Sequence, residues 1–180
     1  ALSPLLILGA LVSGRPLLFG LLGFVLTFLA ADGRLDPRWL LPVGWVWVNT
    51  HGSFPFALLL VAVLAVGQRL DAGRWGREPR VLAWSAGGIA LGALNPIGPR
   101  LLLFPLTLLS KTDAFRAIVE WRAPTYELWH TYAVLALLLV AVLALSRRPS
   151  WRDGSVLVVF AGLFVIGAMA MVMYVFFAVL

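Results

Sequence analysis

Polar residues with the means to do chemistry interrupt this apolar chain at the ends of its hydrophobic runs. The first group is Asn49-Thr50-His51-Gly52-Ser53. A histidine beside an amide and two hydroxyls can bind the hydroxyl or phosphate groups of a ligand, or transfer a proton. The same segment can instead be a turn between two helices, in which Gly52 provides backbone freedom and Pro55 begins the next helix. Both interpretations stay open at the level of sequence.

Two arginines next to prolines form a second kind of candidate site. Arg100 ends the segment Asn95-Pro96-Ile97-Gly98-Pro99-Arg100, in which the prolines stop a helix and the glycine allows a reversal. Arg15 precedes Pro16 at the start of another apolar run. A guanidinium at a membrane edge can hold a phosphate or carboxylate with two hydrogen bonds, or simply reach the lipid head groups.

The segment Ser110–His130 is the longest polar stretch of the chain. Its residues Ala114–Trp121 place apolar side chains on one helical face and Arg116 with Glu120, four residues apart, on another. This spacing predicts an amphipathic helix that lies along the surface of a membrane, on its outer side. Glu120 is a candidate for contact with substrate, although pairing with Arg116 disfavours a catalytic role. His130 lies at the mouth of the next apolar run, where a hydrogen-bonded helix end is the usual role.

Composition places these residues in a membrane protein. The chain has 180 residues, of which 62% are hydrophobic and 12% charged, and its mean hydropathy is +0.97. A soluble domain has about twice that charged fraction. The net charge of +6 comes without a basic run suited to nucleic acid. Without cysteine, disulfides and thiolate metal sites are excluded, and no histidine or carboxylate spacing predicts a metal site or a cofactor.

The apolar runs predict an all-α, polytopic integral membrane bundle of about seven spans. Leu101–Leu109 is too short to cross and predicts a re-entrant or interfacial helix. Gly88 and Gly92 form a pair that can let another helix approach closely. Residues 1–180 are interpreted as one transmembrane domain that is part of a longer chain. The runs are Ala1–Val12, Leu17–Ala31, Trp39–Val48, Phe54–Gly67, Val81–Leu94, Leu101–Leu109, Thr131–Leu145 and Ser155–Leu180.

Arginine-rich loops predict the direction of the spans. Gln68–Arg80 and Ser146–Gly154 carry the highest density of positive charge, which places them in the cytoplasm. Asp32–Arg38 then lies on the same side. The polar groups described above all emerge on the other, non-cytoplasmic side: Arg15-Pro16 and the loops 49–53, 95–100 and 110–130.

The order of these motifs resembles a group of bacterial polytopic proteins similar to the GT-C glycosyltransferases. The resemblance covers about Gly14 to Pro124 and rests on four motifs, which are Arg15-Pro16-Leu17-Leu18-Phe19, Trp47-Val48-Asn49-Thr50-His51-Gly52-Ser53-Phe54, Leu94-Asn95-Pro96-Ile97-Gly98 and Ile118-Val119-Glu120-Trp121-Arg122-Ala123-Pro124. GT-C enzymes take sugars from polyprenyl-phosphate donors at the outer face of the membrane. The resemblance implies a donor or acceptor cavity lined by Arg15, Asn49, His51, Asn95 and Arg100. The acidic catalytic motif of that superfamily lies in a first outer loop that this sequence does not contain.

The expected function is therefore the membrane-embedded part of a GT-C-like glycosyltransferase in a bacterial cytoplasmic membrane. It would use a lipid-phosphate-linked sugar at the outer face, and its catalytic residues are not identified. The alternative is a non-catalytic subunit of a larger membrane complex, in which His51 or His130 would ligate a pigment or haem. The expected partners are membrane lipids, a polyprenyl-phosphate sugar and other membrane subunits, but no nucleic acid. The expected substrate-binding residues are Arg15, Asn49, His51, Asn95, Arg100 and Glu120.

Overall fold

The computed structural model describes residues 17–109 and 129–165, and within these ranges the chain is helical and has no strand. The all-α prediction is therefore confirmed. The first run, the predicted amphipathic helix and the end of the last run lie outside the described residues. Two short 3-10 helices, Pro37–Trp39 and Gly98–Leu103, precede α2 and α5. The α-helices are α1 (Leu17–Ala31), α2 (Leu40–Thr50), α3 (Pro55–Ala72), α4 (Glu78–Leu91), α5 (Phe104–Leu109), α6 (Trp129–Arg147) and α7 (Trp151–Val165).

Prolines and caps explain where several helices begin. Pro55 is the first residue of α3 and Pro79 the second residue of α4, positions where the missing N–H costs nothing. Asp36 caps the first 3-10 helix, because its Oδ1 accepts a hydrogen bond of 2.9 Å from the Arg38 N–H. The predicted beginning of a helix at Pro55 is thus confirmed.

Helix length decides which elements can cross a bilayer unaided. In the described part of the chain, only α3 is both long and apolar enough to span. Helix α2 has 11 residues and α4 has 14, lengths of about 17 and 21 Å against a hydrocarbon core of about 30 Å. Shorter apolar helices are Leu18–Ala31 and Leu138–Arg147. The count of about seven spans stays a prediction.

The described residues divide into two compact units, and the first comprises residues 17–61 and 77–107. Its centre is a close crossing of α2 and α4. A Cβ on Gly44 would lie 2.7 Å from the carbonyl carbon of Gly88, and one on Gly88 would collide with the Leu40 carbonyl oxygen. Gly92 in turn lies against the Val48 side chain. Residue numbers rise together along the two helices, so α2 and α4 run parallel. The small-residue pair at Gly88 and Gly92 does receive a neighbouring helix, as predicted.

Helix α1 completes the first unit by packing against α2. The indole of Trp47 lies directly over Gly23, and the Trp47 side chain is almost completely buried. Thr27, also buried, donates a hydrogen bond of 2.8 Å to the Gly23 carbonyl, which satisfies its hydroxyl inside the core. The other buried apolar residues of this unit include Phe24, Ala30, Ala31, Leu40, Val48 and Val81.

The second unit comprises residues 62–76 and the described residues from 108 onwards. Here Asp71, near the end of α3, caps the start of α7. Its Oδ1 accepts from the Trp151 N–H at 2.7 Å, and its Oδ2 accepts from the Arg152 N–H and the Ser150 hydroxyl, both at 2.9 Å. An acidic side chain thus satisfies N–H groups that the first turn of a helix leaves free.

Candidate functional site

The last turns of α2 and the residues after α4 meet at one end of the first unit, because the two helices run parallel. The Trp45 indole Nε1 donates a hydrogen bond of 3.2 Å to the Leu94 carbonyl. Asn49 Nδ2 donates to the Trp45 carbonyl at 2.8 Å and approaches the Gly92 carbonyl at 3.5 Å. Asn95 Nδ2 donates to the same Gly92 carbonyl. The structure therefore brings together two asparagines that the sequence analysis selected 46 positions apart.

Asn95 builds the turn that follows α4. Its Oδ1 accepts hydrogen bonds from the Ile97 N–H at 2.7 Å and from the Gly98 N–H at 3.0 Å. Gly98 has a φ of +71°, a left-handed conformation that glycine adopts without strain. Both polar atoms of Asn95 are thus engaged, and its role here is structural. The Oδ1 of Asn49, by contrast, has no hydrogen-bond donor among the described residues.

His51 follows α2 and is held by a chain of hydrogen bonds. The Trp47 indole Nε1 donates to the Ser53 hydroxyl at 3.1 Å, and that oxygen lies 2.7 Å from His51 Nδ1. The Ser53 backbone N–H also donates to His51 Nδ1, at 3.3 Å. Since an indole N–H only donates, the serine hydroxyl can give its own hydrogen to Nδ1. Two donors therefore assign Nδ1 as an acceptor and leave the proton of the neutral ring on Nε2.

Partial burial also determines the charge of His51. Loss of solvent contact lowers the pKa of its imidazole below the usual value of 6.5, so the ring is neutral at pH 7. Its Nε2–H has no acceptor among the described residues. His51 thus presents one neutral hydrogen-bond donor. A lone pair on Nε2, which ligation of a metal needs, would require the ring proton to move to Nδ1, where two donors already point.

Phe104 closes the other side of this turn. Its ring carbons lie 3.1 Å from the place where a Cβ on Gly52 would stand. Gly52 does not have a positive φ, so the fold does not need a glycine here for its backbone conformation. It needs the small size of glycine, because a Cβ would press on the Phe104 ring. The backbone freedom expected from the sequence is not used.

Arg100 reaches the same end of the unit through the second 3-10 helix. It precedes Phe104 by four residues, a distance of about 8 Å along a 3-10 axis, and Phe104 itself lies on the His51 turn. The Arg100 side chain is exposed and has no ion-pair partner in the described ranges. The three acidic residues of the first unit, Asp32, Asp36 and Glu78, lie around the starts of α2 and α4, at its opposite end.

The candidate site thus consists of the His51 Nε2–H, the Asn49 Oδ1 and the Arg100 guanidinium. Of the other predicted residues, Asn95 lies beside them as a turn former, whereas Arg15 and Glu120 lie outside the described residues. No group of three histidine or acidic residues able to hold a metal ion occurs in the described ranges.

The sequence places Ser53 in the same candidate group as His51, but it did not predict that Ser53 and Trp47 orient the histidine. The position of Ser53, two residues after His51 in a turn, could have predicted a hydrogen bond between them, because local side-chain hydrogen bonds are common in turns. Trp47 offered no such signal, because its contact with Ser53 depends on how α2 enters the core.

Comparison of this chain with protein-family models, with curated proteins and with solved structures gives no match. The geometry of the site is therefore the basis for a functional assignment.

Proposed function

We propose that this chain is the membrane-embedded part of a GT-C-like glycosyltransferase. In this proposal the end of the first unit that carries His51 binds the phosphate-linked sugar of a lipid donor. The observation that carries the proposal is the hydrogen-bond chain from Trp47 through Ser53 to His51, which leaves the His51 Nε2–H as a donor. The same end of the unit carries Arg100, which has no ion-pair partner among the described residues.

The side chains at this end match the groups of a lipid-phosphate sugar. Arg100 supplies a charge and paired N–H donors for phosphate oxygens. His51 donates to a further phosphate oxygen or to a sugar hydroxyl. Asn49 Oδ1 can accept from a sugar hydroxyl, because that oxygen is not used within the described fold. Arg15 and Glu120, which lie outside the described residues, remain part of the proposed substrate-binding set.

Exposed apolar side chains support a location in the bilayer. They occur on most of the long helices, which is costly in water and favourable in lipid. We propose about seven spans in a bacterial cytoplasmic membrane, with the His51 end on the non-cytoplasmic side. The exposed residues include Phe19, Leu22, Trp45, Leu59, Val66, Leu70, Leu91, Leu135, Leu139, Val140, Leu143 and Val158.

A second candidate function is that of a non-catalytic subunit in a larger membrane complex. It is favoured by one observation: in the described part of the first unit, no carboxylate lies at the end that carries His51. Direct displacement by an acceptor hydroxyl is assisted by a general base, which would then have to come from elsewhere. In this alternative, neighbouring subunits cover the exposed apolar faces.

Binding of a polyprenyl monophosphate to the purified chain in nanodiscs tests the first proposal. We expect Arg100→Gln to weaken binding at least about tenfold, since a charge-assisted hydrogen bond contributes roughly 1.5–3 kcal/mol. His51→Phe should weaken binding less, because it removes one neutral donor. Arg148→Gln is the matched control, since it removes an exposed arginine in the second unit.

Equal affinity of the Arg100→Gln and Arg148→Gln variants would refute the proposed binding site. Absence of polyprenyl phosphate binding, together with copurification in fixed stoichiometry with other chains, would instead favour the accessory subunit.

A further inference from the structure

A second polar site lies at the opposite end of the first unit, where α2 and α4 begin. It is a cavity of about 580 Å³, a volume within the usual range for small-molecule sites. The loops that form it are arginine-rich, and by sequence alone they indicate only the direction of the spans. The residues that matter for its chemistry are Arg34, Arg38, Arg77, Arg80, Asp36 and Trp84.

Parallel packing of α2 and α4 brings these arginines together. Arg34 and Arg38 belong to the segment before α2, and Arg77 and Arg80 lie at the start of α4. Because both helices begin at this end, two stretches some forty residues apart in sequence face one space. The N-terminus of α4, a helix of 14 residues, also lies at this end, with Glu78 in its first turn.

The cavity carries an excess of positive charge. Its lining contains four arginines and one aspartate, a net charge of +3 for the lining alone, and the carboxylates of Asp32 and Glu78 lie at the same end of the unit. Arg34 is engaged, since its Nε lies 2.9 Å from Asp32 Oδ2. Asp36 is also engaged, because it caps the first 3-10 helix. The guanidinium groups of Arg38, Arg77 and Arg80 have no carboxylate within ion-pair distance among the described residues.

Backbone geometry makes room for one of these groups. Gly33 has a φ of +88°, and a Cβ at this position would collide with Nη1 of Arg77. The Arg77 guanidinium therefore lies directly on the backbone at Gly33, at the edge of the cavity. Trp84, half-buried, provides a flat aromatic wall. Arginines that only extend to the membrane interface need not share a binding space. These four arginines line one cavity, which favours a common ligand.

We propose that this cavity binds a phosphate group, presented either by the head group of an anionic phospholipid or by a soluble phosphate compound. Several guanidinium groups around one space suit phosphate, because each can donate two hydrogen bonds to its oxygens. The site is separate from the His51 end, so it stands whether or not that end binds a sugar donor.

The test uses the whole purified chain and two kinds of probe. Retention of phosphatidylglycerol and phosphatidylcholine is compared by native mass spectrometry, and inorganic phosphate and pyrophosphate are titrated while the thermal midpoint is followed. We expect preferential retention of phosphatidylglycerol if the source is lipid, or a rise of the midpoint with pyrophosphate if the source is soluble. Either result supports a phosphate site and identifies its source.

Paired variants distinguish this cavity from charge in general. R38Q/R80Q should weaken binding of the responding probe about tenfold or more, because two guanidinium groups are lost. R147Q/R148Q removes the same charge from exposed arginines in the second unit and should leave the affinity within about twofold.

Equal losses of affinity in the two double variants, or unchanged affinity in R38Q/R80Q, would overturn the proposal. It would also be overturned if the wild-type chain showed no preference for phosphatidylglycerol over phosphatidylcholine and no response to phosphate or pyrophosphate. If R38Q/R80Q does not fold, R38K/R80K decides the question. Lysine keeps the charge but loses the paired N–H geometry, so affinity should fall several-fold; an unchanged affinity would again refute the cavity as a phosphate site.

Discussion

At the scale of single residues, the candidate site depends on a buried tryptophan and serine that never need to touch a ligand. Trp47 and Ser53 are both nearly inaccessible to solvent, yet their hydrogen bonds set the tautomer of the half-buried His51. A buried polar chain of this kind is stable only when each member has a partner. Loss of the middle member should therefore affect both neighbours.

Ser53→Ala should destabilise the protein by about 1–3 kcal/mol, because it leaves the Trp47 indole N–H buried without an acceptor. Thermal unfolding in detergent measures this change. Thr50→Ala is the control: that hydroxyl donates only to carbonyls of its own helix and lies nearer the surface, so its loss should cost less than about 0.5 kcal/mol. Equal effects of the two substitutions would contradict the proposed hydrogen-bond chain.

Burial of His51 also predicts a dependence of stability on pH. Because burial lowers the pKa of the folded imidazole below 6.5, the unfolded state binds a proton first as the pH falls. The half-buried neutral imidazole therefore makes its full contribution to the free energy of unfolding above pH 6.5. That contribution declines as the pH drops through 6.5 and levels off below the pKa of the folded state.

Unfolding followed at pH 7.5 and at pH 5.5 measures the effect, and His51→Gln should reduce the difference between the two values. His130→Gln tests whether the second histidine contributes. An unchanged pH dependence in His51→Gln would show that other groups cause it.

At the scale of elements, the crossing of α2 and α4 positions everything described at both ends of the first unit. Gly44 and Gly88 allow backbone to approach backbone, and the parallel direction of the helices follows from their contacts. One end then gathers the asparagines and His51, and the other gathers the arginines. The crossing is therefore the feature on which both proposed sites depend.

Gly88→Ala should be strongly destabilising, by roughly 1–3 kcal/mol or more, because the new methyl group meets the backbone carbonyl oxygen of Leu40, which cannot move alone. Gly87→Ala is the matched control on the adjacent residue. There the nearest atom is the end of the Leu41 side chain at 3.2 Å, and alanine also favours the helix. Thermal midpoints of the two variants should differ clearly, and similar midpoints would argue against the close crossing.

At the scale of the whole molecule, the proposed membrane topology places the two ends of the first unit in different compartments. The absence of cysteine permits a direct test, since single cysteines can be added without removing any. Arg100→Cys should react with a membrane-impermeant maleimide in intact cells. Arg34→Cys, at the other end of the unit and with an exposed side chain, should react only after the membrane is made permeable.

The unmodified chain is the control for that experiment and should not be labelled. Labelling of both cysteines from the same side would refute the proposed topology, and with it the outer location of the His51 site.

The sequence by itself was sufficient for the helical class and for several helix boundaries. It predicted α1 over the residues observed, and the start of α3 at Pro55, because prolines, glycines and caps act on the dihedral angles of their immediate neighbours. It also selected Asn49, His51 and Asn95, since polar groups at the ends of apolar runs stand out in composition alone.

Only the tertiary structure decided which of these residues meet and what each does there. Asn49 and Asn95 converge on the Gly92 carbonyl, His51 is oriented by Ser53 and Trp47, and arginines from two loops line one cavity. The meeting of the asparagines and the arginine-lined cavity join residues far apart along the chain, and they arise because glycines let α2 and α4 pack closely in the same direction. The orientation of His51 depends on how the end of α2 is buried in the core. Local sequence patterns describe one helix at a time, whereas such a contact is a property of two helices packed together.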